Sequence, residues 1–129
     1  MAWVEIFAAV VVSHLVGDFL LQTNWQATHK RGGLGRDRIS RRALLAHVAT
    51  YTLAFTPALV WIGTDIGAWA VGIAALIALP HLVQDDGRLL AAYMRRIKGI
   101  ELDEGPVALA VDQTVHLVAL FLVSLLAGS

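Results

Sequence analysis

The stretch Trp3–Gln22, WVEIFAAVVVSHLVGDFLLQ, decides how the chain is read. It supplies the roughly 20 mostly apolar residues that a transmembrane helix needs. It also carries His14 and Asp18, four apart and so on one helical face, a turn from each other. Ionisable groups are expensive inside a bilayer, and those found there are usually functional. The pattern returns twice. His81-Leu82-Val83-Gln84-Asp85 repeats it forwards in the third apolar run, and Asp112-Gln113-Thr114-Val115-His116 carries it reversed in the last.

Composition agrees with a membrane protein. The 129 residues are read as a single integral membrane domain, 1–129, at 57% hydrophobic and 16% charged, above the apolar share of soluble domains. With no cysteine, thiolate metal sites, disulfides and cysteine nucleophiles are excluded. A formal net charge of zero gives no general affinity for polyanions. Met1-Ala2-Trp3-Val4-Glu5 has no basic segment, so the start is not read as a cleaved signal peptide.

The spacing of apolar runs predicts an all-α fold: four transmembrane helices at about 3–22, 43–63, 66–86 and 106–127, in an antiparallel bundle. Pro57 is expected to kink the second helix, Thr64-Asp65 to turn tightly into the third, Pro80 to bend the third above His81, and Pro106 to open the fourth. Leu89, Leu90, Tyr93, Met94 and Ile97 follow helical spacing beside Arg95, Arg96 and Lys98. Residues 89–98 therefore read as a short interfacial helix or as an inner extension of the third helix. All ten Lys and Arg fall in two segments, Lys30 to Arg42 and Arg88 to Lys98. By the positive-inside rule, loops 23–42 and 87–105 are cytoplasmic and both termini lie outside, in a bacterial inner membrane. Trp3, Trp61 and Trp69 then mark the outer interface, and Trp25 the inner one.

This orientation brings the ionisable residues to one depth. His14 and Asp18 fall in the inner half of the first helix, and His47 about one turn into the second. His81 and Asp85 lie at the inner end of the third, and Asp112 and His116 at the inner start of the fourth. The reversed order in the last helix is what an oppositely directed helix needs to present the same pattern. An ionised Asp near a helix centre costs about 2.5–3.5 kcal/mol, and facing carboxylates add repulsion. A divalent ion supplies the missing counter-charge. Imidazole and carboxylate without sulfur suit zinc, manganese or iron. His14, Asp18, His81, Asp85, Asp112 and His116 are the expected ligands of one or two ions, with His47 a further ligand or base and Asp112 a candidate catalytic group. The bland alternative is a set of His–carboxylate bonds joining helices.

Gln22 extends the first helix's polar face toward the cytoplasmic mouth. Gln84 and Gln113 lie off the shared faces and receive no role, and Asp86 reads as a solvated interfacial residue. Gly32, Gly33 and Gly35 do not form a phosphate loop, and no His-Glu-x-x-His helix is present. The basic first loop lacks interleaved aromatics beyond Trp25, so nucleic acid is not an expected partner.

The motifs His14-x3-Asp18-x2-Leu21-Gln22, Lys30, His47 with Tyr51, His81-x3-Asp85-x2-Arg88 and Asp112-Gln113-x2-His116 together span the chain. In them it resembles an uncharacterised bacterial family of short four-helix integral membrane proteins, a domain of unknown function. Arg88 stands where lysine is more usual, keeping the charge and changing its geometry. The resemblance implies no activity.

The first expectation is a metal-dependent hydrolase or transferase at the cytoplasmic face, with Lys30, Arg88 and Gln22 receiving an anionic lipid-linked or phosphorylated substrate. A second is a proton or divalent-ion transporter or channel subunit. Against it, the outer halves of helices two to four hold almost no titratable residues; homo-oligomerisation is left open as a route to a pore. A third is a structural or regulatory membrane subunit.

Overall fold

A computed structural model describes residues 1–102 and 105–128. Asp103 and Glu104, inside the segment read as the second inner loop, and Ser129 lie outside the described residues. The described residues are helical, with no strand among them. Helix α1 spans Trp3–Leu15 and runs on as a π-helical turn over Val16–Leu21; α2 spans Asn24–His29, α3 Arg38–Ala54, α4 Thr56–Ile66, α5 Trp69–Asp86 and α6 Arg88–Tyr93. A second π-helical turn follows over Met94–Lys98, and α7 spans Pro106–Ala127.

Two stretches are long and apolar enough to cross a membrane, Trp3–Leu21 and Pro106–Ala127. A third qualifies if α3 and α4, bent by 54° at Phe55, form one broken span. Pro57 lies in the first turn of α4, where its missing N–H costs nothing and the preceding helix has to end. The helix α5 is not among these spans; His81, Gln84, Asp85 and Asp86 make its last turns polar. It continues through Pro80.

Three local expectations need correction. Thr64 and Asp65 remain inside α4, and the chain turns instead at Gly67, whose φ of 61° favours glycine. The basic first loop contains α2, because Thr23 Oγ1 accepts the Gln26 N–H at 3.1 Å and Gln26 Oε1 accepts the Thr23 N–H at 2.9 Å, a reciprocal capping box. Asp86 is buried rather than solvated. Its Oδ1 accepts the Leu34 N–H and its carbonyl the Gly32 N–H, both at 2.8 Å. The glycine loop is thereby clamped beneath α5, and Gly33 packs so closely on α3 that a Cβ would stand 2.5 Å from Leu44 Cβ. At the start of α3, Asp37 Oδ2 accepts the Ser40 N–H at 2.7 Å, which holds its carboxyl below the usual carboxylate range.

Packing divides the molecule into two halves. α1 lies along α7, while α5 packs against α3, α4 and α7. Ile6, Val10, Phe55, Ile62, Ile73, Ile77, Leu120 and Val123 form a buried apolar cluster toward the end where the Met1 ammonium meets Asp65 at 2.7 Å. His14, Asp18, His47, His81, Asp85 and His116 are buried together in the other half. Outside, the apolar side chains face outward: Leu20 is 76% exposed, Val71 75% and Leu126 73%, a surface far more apolar than water tolerates.

Candidate metal centre

The π-helical turn in the first helix begins one residue before Gly17 and contains Asp18, while His14 precedes it. The two remain near each other, but their closest partners differ. His14 Nδ1 and Asp18 Oδ2 are 3.7 Å apart. Asp18 instead faces α3 and α5, with Oδ1 3.2 Å from His47 Nε2 and 3.6 Å from His81 Nε2.

Those atoms belong to a compact group. His47 Nε2 and His81 Nε2 are 3.0 Å apart, and Asp85 Oδ2 lies 2.9 Å from the first and 3.2 Å from the second. All four residues are buried, and one ligand atom from each lies within 4.8 Å of the others. Zinc at about 2.0–2.1 Å from four tetrahedral ligands separates those ligands by about 3.3–3.4 Å. Five of the six spacings here run from 2.9 to 3.6 Å, and all four residues offer a ligand atom within 4.8 Å of the others, a set compatible with that ion. Asp18 Oδ1 is buried without a hydrogen-bond partner among the described residues, and a cation held between the Nε2 atoms and the carboxylates would satisfy it. His47 Nδ1 and His81 Nδ1 are also buried without a partner among the described residues, and a cation at Nε2 leaves them so.

Asp85 also belongs to a second group, with Asp112 and His116. His116 Nδ1–H donates to the Asp112 carbonyl at 2.7 Å, which turns Nε2 to within 3.1 Å of Asp85 Oδ1. A ring held through one nitrogen with the other presented is the usual posture of a metal-bound histidine. Asp85 thus turns Oδ2 to one group and Oδ1 to the other.

The helix-one histidine takes a different position from the other three. Tyr51 O–H donates to His14 Nδ1 at 3.0 Å, and His14 Nε2–H donates to Gln113 Oε1 at 2.9 Å. Gln113 Nε2 then reaches Asp112 Oδ2 at 3.3 Å and Asp18 Oδ2 at 3.5 Å. His14 is therefore in neither ligand group; it holds the amide that orients one carboxylate of each. Gln113, which sequence reading left without a role, joins the groups, because α7 runs beside α1 and a long amide reaches across from a neighbouring face. Tyr51, quoted with His47 among the motifs but given no role there, is the other. Its ring stacks on His81 with centroids 3.5 Å apart and 4° between planes. The spacing His47-x3-Tyr51 was its available signal.

At the mouth, Lys30 Nζ donates to Asp85 Oδ2 and to Gln22 Oε1, each at 2.6 Å. Gln22 Nε2 in turn donates to the Asp18 carbonyl at 3.3 Å. A carboxylate oxygen has two lone pairs, so Lys30 and a metal can share Asp85 Oδ2. Arg88 does not join them. It is 59% exposed and its Nε lies 3.4 Å from Asp86 Oδ2, on the clamp of the glycine loop. Gln84 stays at the surface of α5, 3.4 Å from the Val115 carbonyl.

A family model described as a protein of unknown function (DUF3307) matches residues 6–129. The chain belongs to this family. No curated protein and no solved structure matches it. Since the family description assigns no activity, the chemistry follows from the residues: two adjoining His/Asp groups able to hold metal, joined by Asp85.

Proposed function

We propose that the chain is a polytopic protein of a bacterial cytoplasmic membrane and a metal-dependent hydrolase or transferase acting on a lipid-linked or phosphorylated substrate. Four crossings with both termini outside are supported by the Lys and Arg distribution. The outward apolar side chains on α5, with Val71 75% and Leu79 61% exposed, support its inclusion although its polar end shortens the apolar run. Zinc is the preferred ion, with manganese and iron as the other candidates.

One observation carries the enzymatic reading: the two groups differ in closure. Asp18, His47, His81 and Asp85 provide four buried ligands, the number that saturates a structural zinc. Asp85, Asp112 and His116 provide three, and the Asp112 side chain is 25% exposed. Three protein ligands and an open side are the arrangement of catalytic sites. When bound there, a divalent ion supplies Lewis acidity toward an ester or phosphoryl oxygen and acidifies its water. His47 then acts as a ligand of the closed set, while Asp112, oriented by Gln113, is the carboxylate beside the substrate. Lys30 and Gln22 line the mouth. Three carboxylates, Lys30 and two divalent ions leave a net charge of plus two, suited to a phosphate dianion.

Elemental analysis of the detergent-purified chain tests this. Wild type is expected to hold zinc, manganese or iron, His81→Ala to lose the closed-set ion, and Asp112→Asn to retain it. Asp112→Asn should also lower metal-dependent phosphate release from a lipid phosphate by about 10²-fold or more, the size of a lost acid–base group. Wild-type protein that binds no metal after equilibration with zinc would falsify the reading.

A further inference from the structure

Beside the three-ligand group lies a groove between α5, α6 and α7, lined by Leu79, Val83, Leu90, Ala110 and Val111 among others. Its volume is about 880 Å³, at the upper end of the roughly 300–1,000 Å³ typical of small-molecule sites. The lining is almost wholly hydrocarbon. Two charged side chains interrupt it, Asp112 and Lys98. Asp112 belongs to the three-ligand group. Lys98 ends the second π-helical turn, next to the exposed cations Arg95 and Arg96.

We propose that this groove binds the hydrocarbon chain of an anionic membrane lipid and delivers its phosphate to Lys98 and the Asp85–Asp112–His116 group. The inference rests on the metal reading above, since Asp112 without a bound cation would repel a phosphate. Three features select this occupant. The lining is predominantly hydrocarbon, with Gln84, Tyr93 and Thr114 as its uncharged polar residues. A single cation, Lys98, lines it together with Asp112, as a chain with a charged head requires. The groove is also continuous with the candidate metal group through Asp112. Leu89 and Ile97 on the same segment are 65% and 69% exposed, so α6 and its π turn present apolar side chains and cations together, in the manner of an interfacial helix. A lipid entering sideways from the inner leaflet would not have to leave the bilayer to reach the metals.

Native mass spectrometry of the detergent-purified chain, with phosphatidylglycerol or phosphatidylcholine added, tests the assignment, with zinc content measured on the same samples. Wild type is expected to retain one phosphatidylglycerol under conditions that strip phosphatidylcholine. Ala110→Trp, which fills the groove from an exposed position of α7, should lose that lipid and keep its zinc. Lys98→Glu should weaken phosphatidylglycerol by about fivefold or more, the value of one cation at an anionic surface, and leave phosphatidylcholine unchanged. Phosphatidylglycerol bound equally well by zinc-loaded Ala110→Trp would overturn the groove and leave the metal reading standing. Lipid lost from Ala110→Trp with no zinc in either protein would keep the groove as a lipid site but remove the metal reading and, with it, the delivery of the phosphate to the Asp85–Asp112–His116 group.

Discussion

A Cβ added to Gly17 would stand 2.6 Å from Tyr51 Cδ2 and 3.3 Å from Tyr51 Cα. No side chain fits there unless the Tyr51 ring moves, and that ring supports two histidines, stacking on His81 and donating to His14. Gly17→Ala is therefore expected to destabilise the protein by about 1–3 kcal/mol through overpacking. Losing orientation at His81 should also weaken zinc by about 10–100-fold, the usual cost of disturbing a ligand's support. Thermal unfolding and zinc titration in detergent measure both effects. Tyr51→Phe separates them: it keeps the ring between Gly17 and His81 but leaves His14 Nδ1 unpaired. A Gly17→Ala protein with wild-type zinc affinity would show that the ring does not set the histidine geometry.

At the scale of elements, the glycine loop and the π-helical turn shape the centre. Asp86 ties residues 32–34 to the end of α5 through Leu34 and Gly32, and this loop follows Lys30 directly. Asp86→Ala leaves the Leu34 N–H without its acceptor, at a cost of about 1–3 kcal/mol if no water replaces it. It should also loosen Lys30 from Asp85. Hydrogen exchange at residues 30–35 is expected to rise in this variant while exchange in α7 stays as in wild type; unchanged loop protection would rule out the clamp. The π-helical turn was not visible in the sequence, because hydropathy gives the same apolar run for an α or a π turn. Asp18 lies within it and faces His47 and His81, while His14 lies before it and faces Tyr51 and Gln113.

For the whole molecule, the proposed orientation separates two sets of surface positions, the basic loop around Arg36 and the α4 end around Asp65. The chain has no cysteine, so single cysteines report on topology without background. In intact cells Asp65→Cys should react with a membrane-impermeant maleimide and Arg36→Cys should react only after permeabilisation. The opposite pattern would invert the bundle, and labelling of both in intact cells would remove the spanning reading.

The sequence alone established an all-helical chain, its long apolar stretches, the start of α7 at Pro106 and the gathering of His and Asp residues toward one end. Those properties are local or periodic: hydropathy follows composition over a window, and helix direction turns one motif into its reverse. The tertiary structure decided which atoms meet. Asp18, His47, His81 and Asp85 close one group, Asp85, Asp112 and His116 leave another open, and His14 serves both through Gln113. That division depends on how far each helix is rotated about its own axis, and side-chain packing sets the rotation. Gly17 against Tyr51, and Tyr51 against His81, are contacts between residues 34 and 30 positions apart in the chain, beyond the reach of any local pattern.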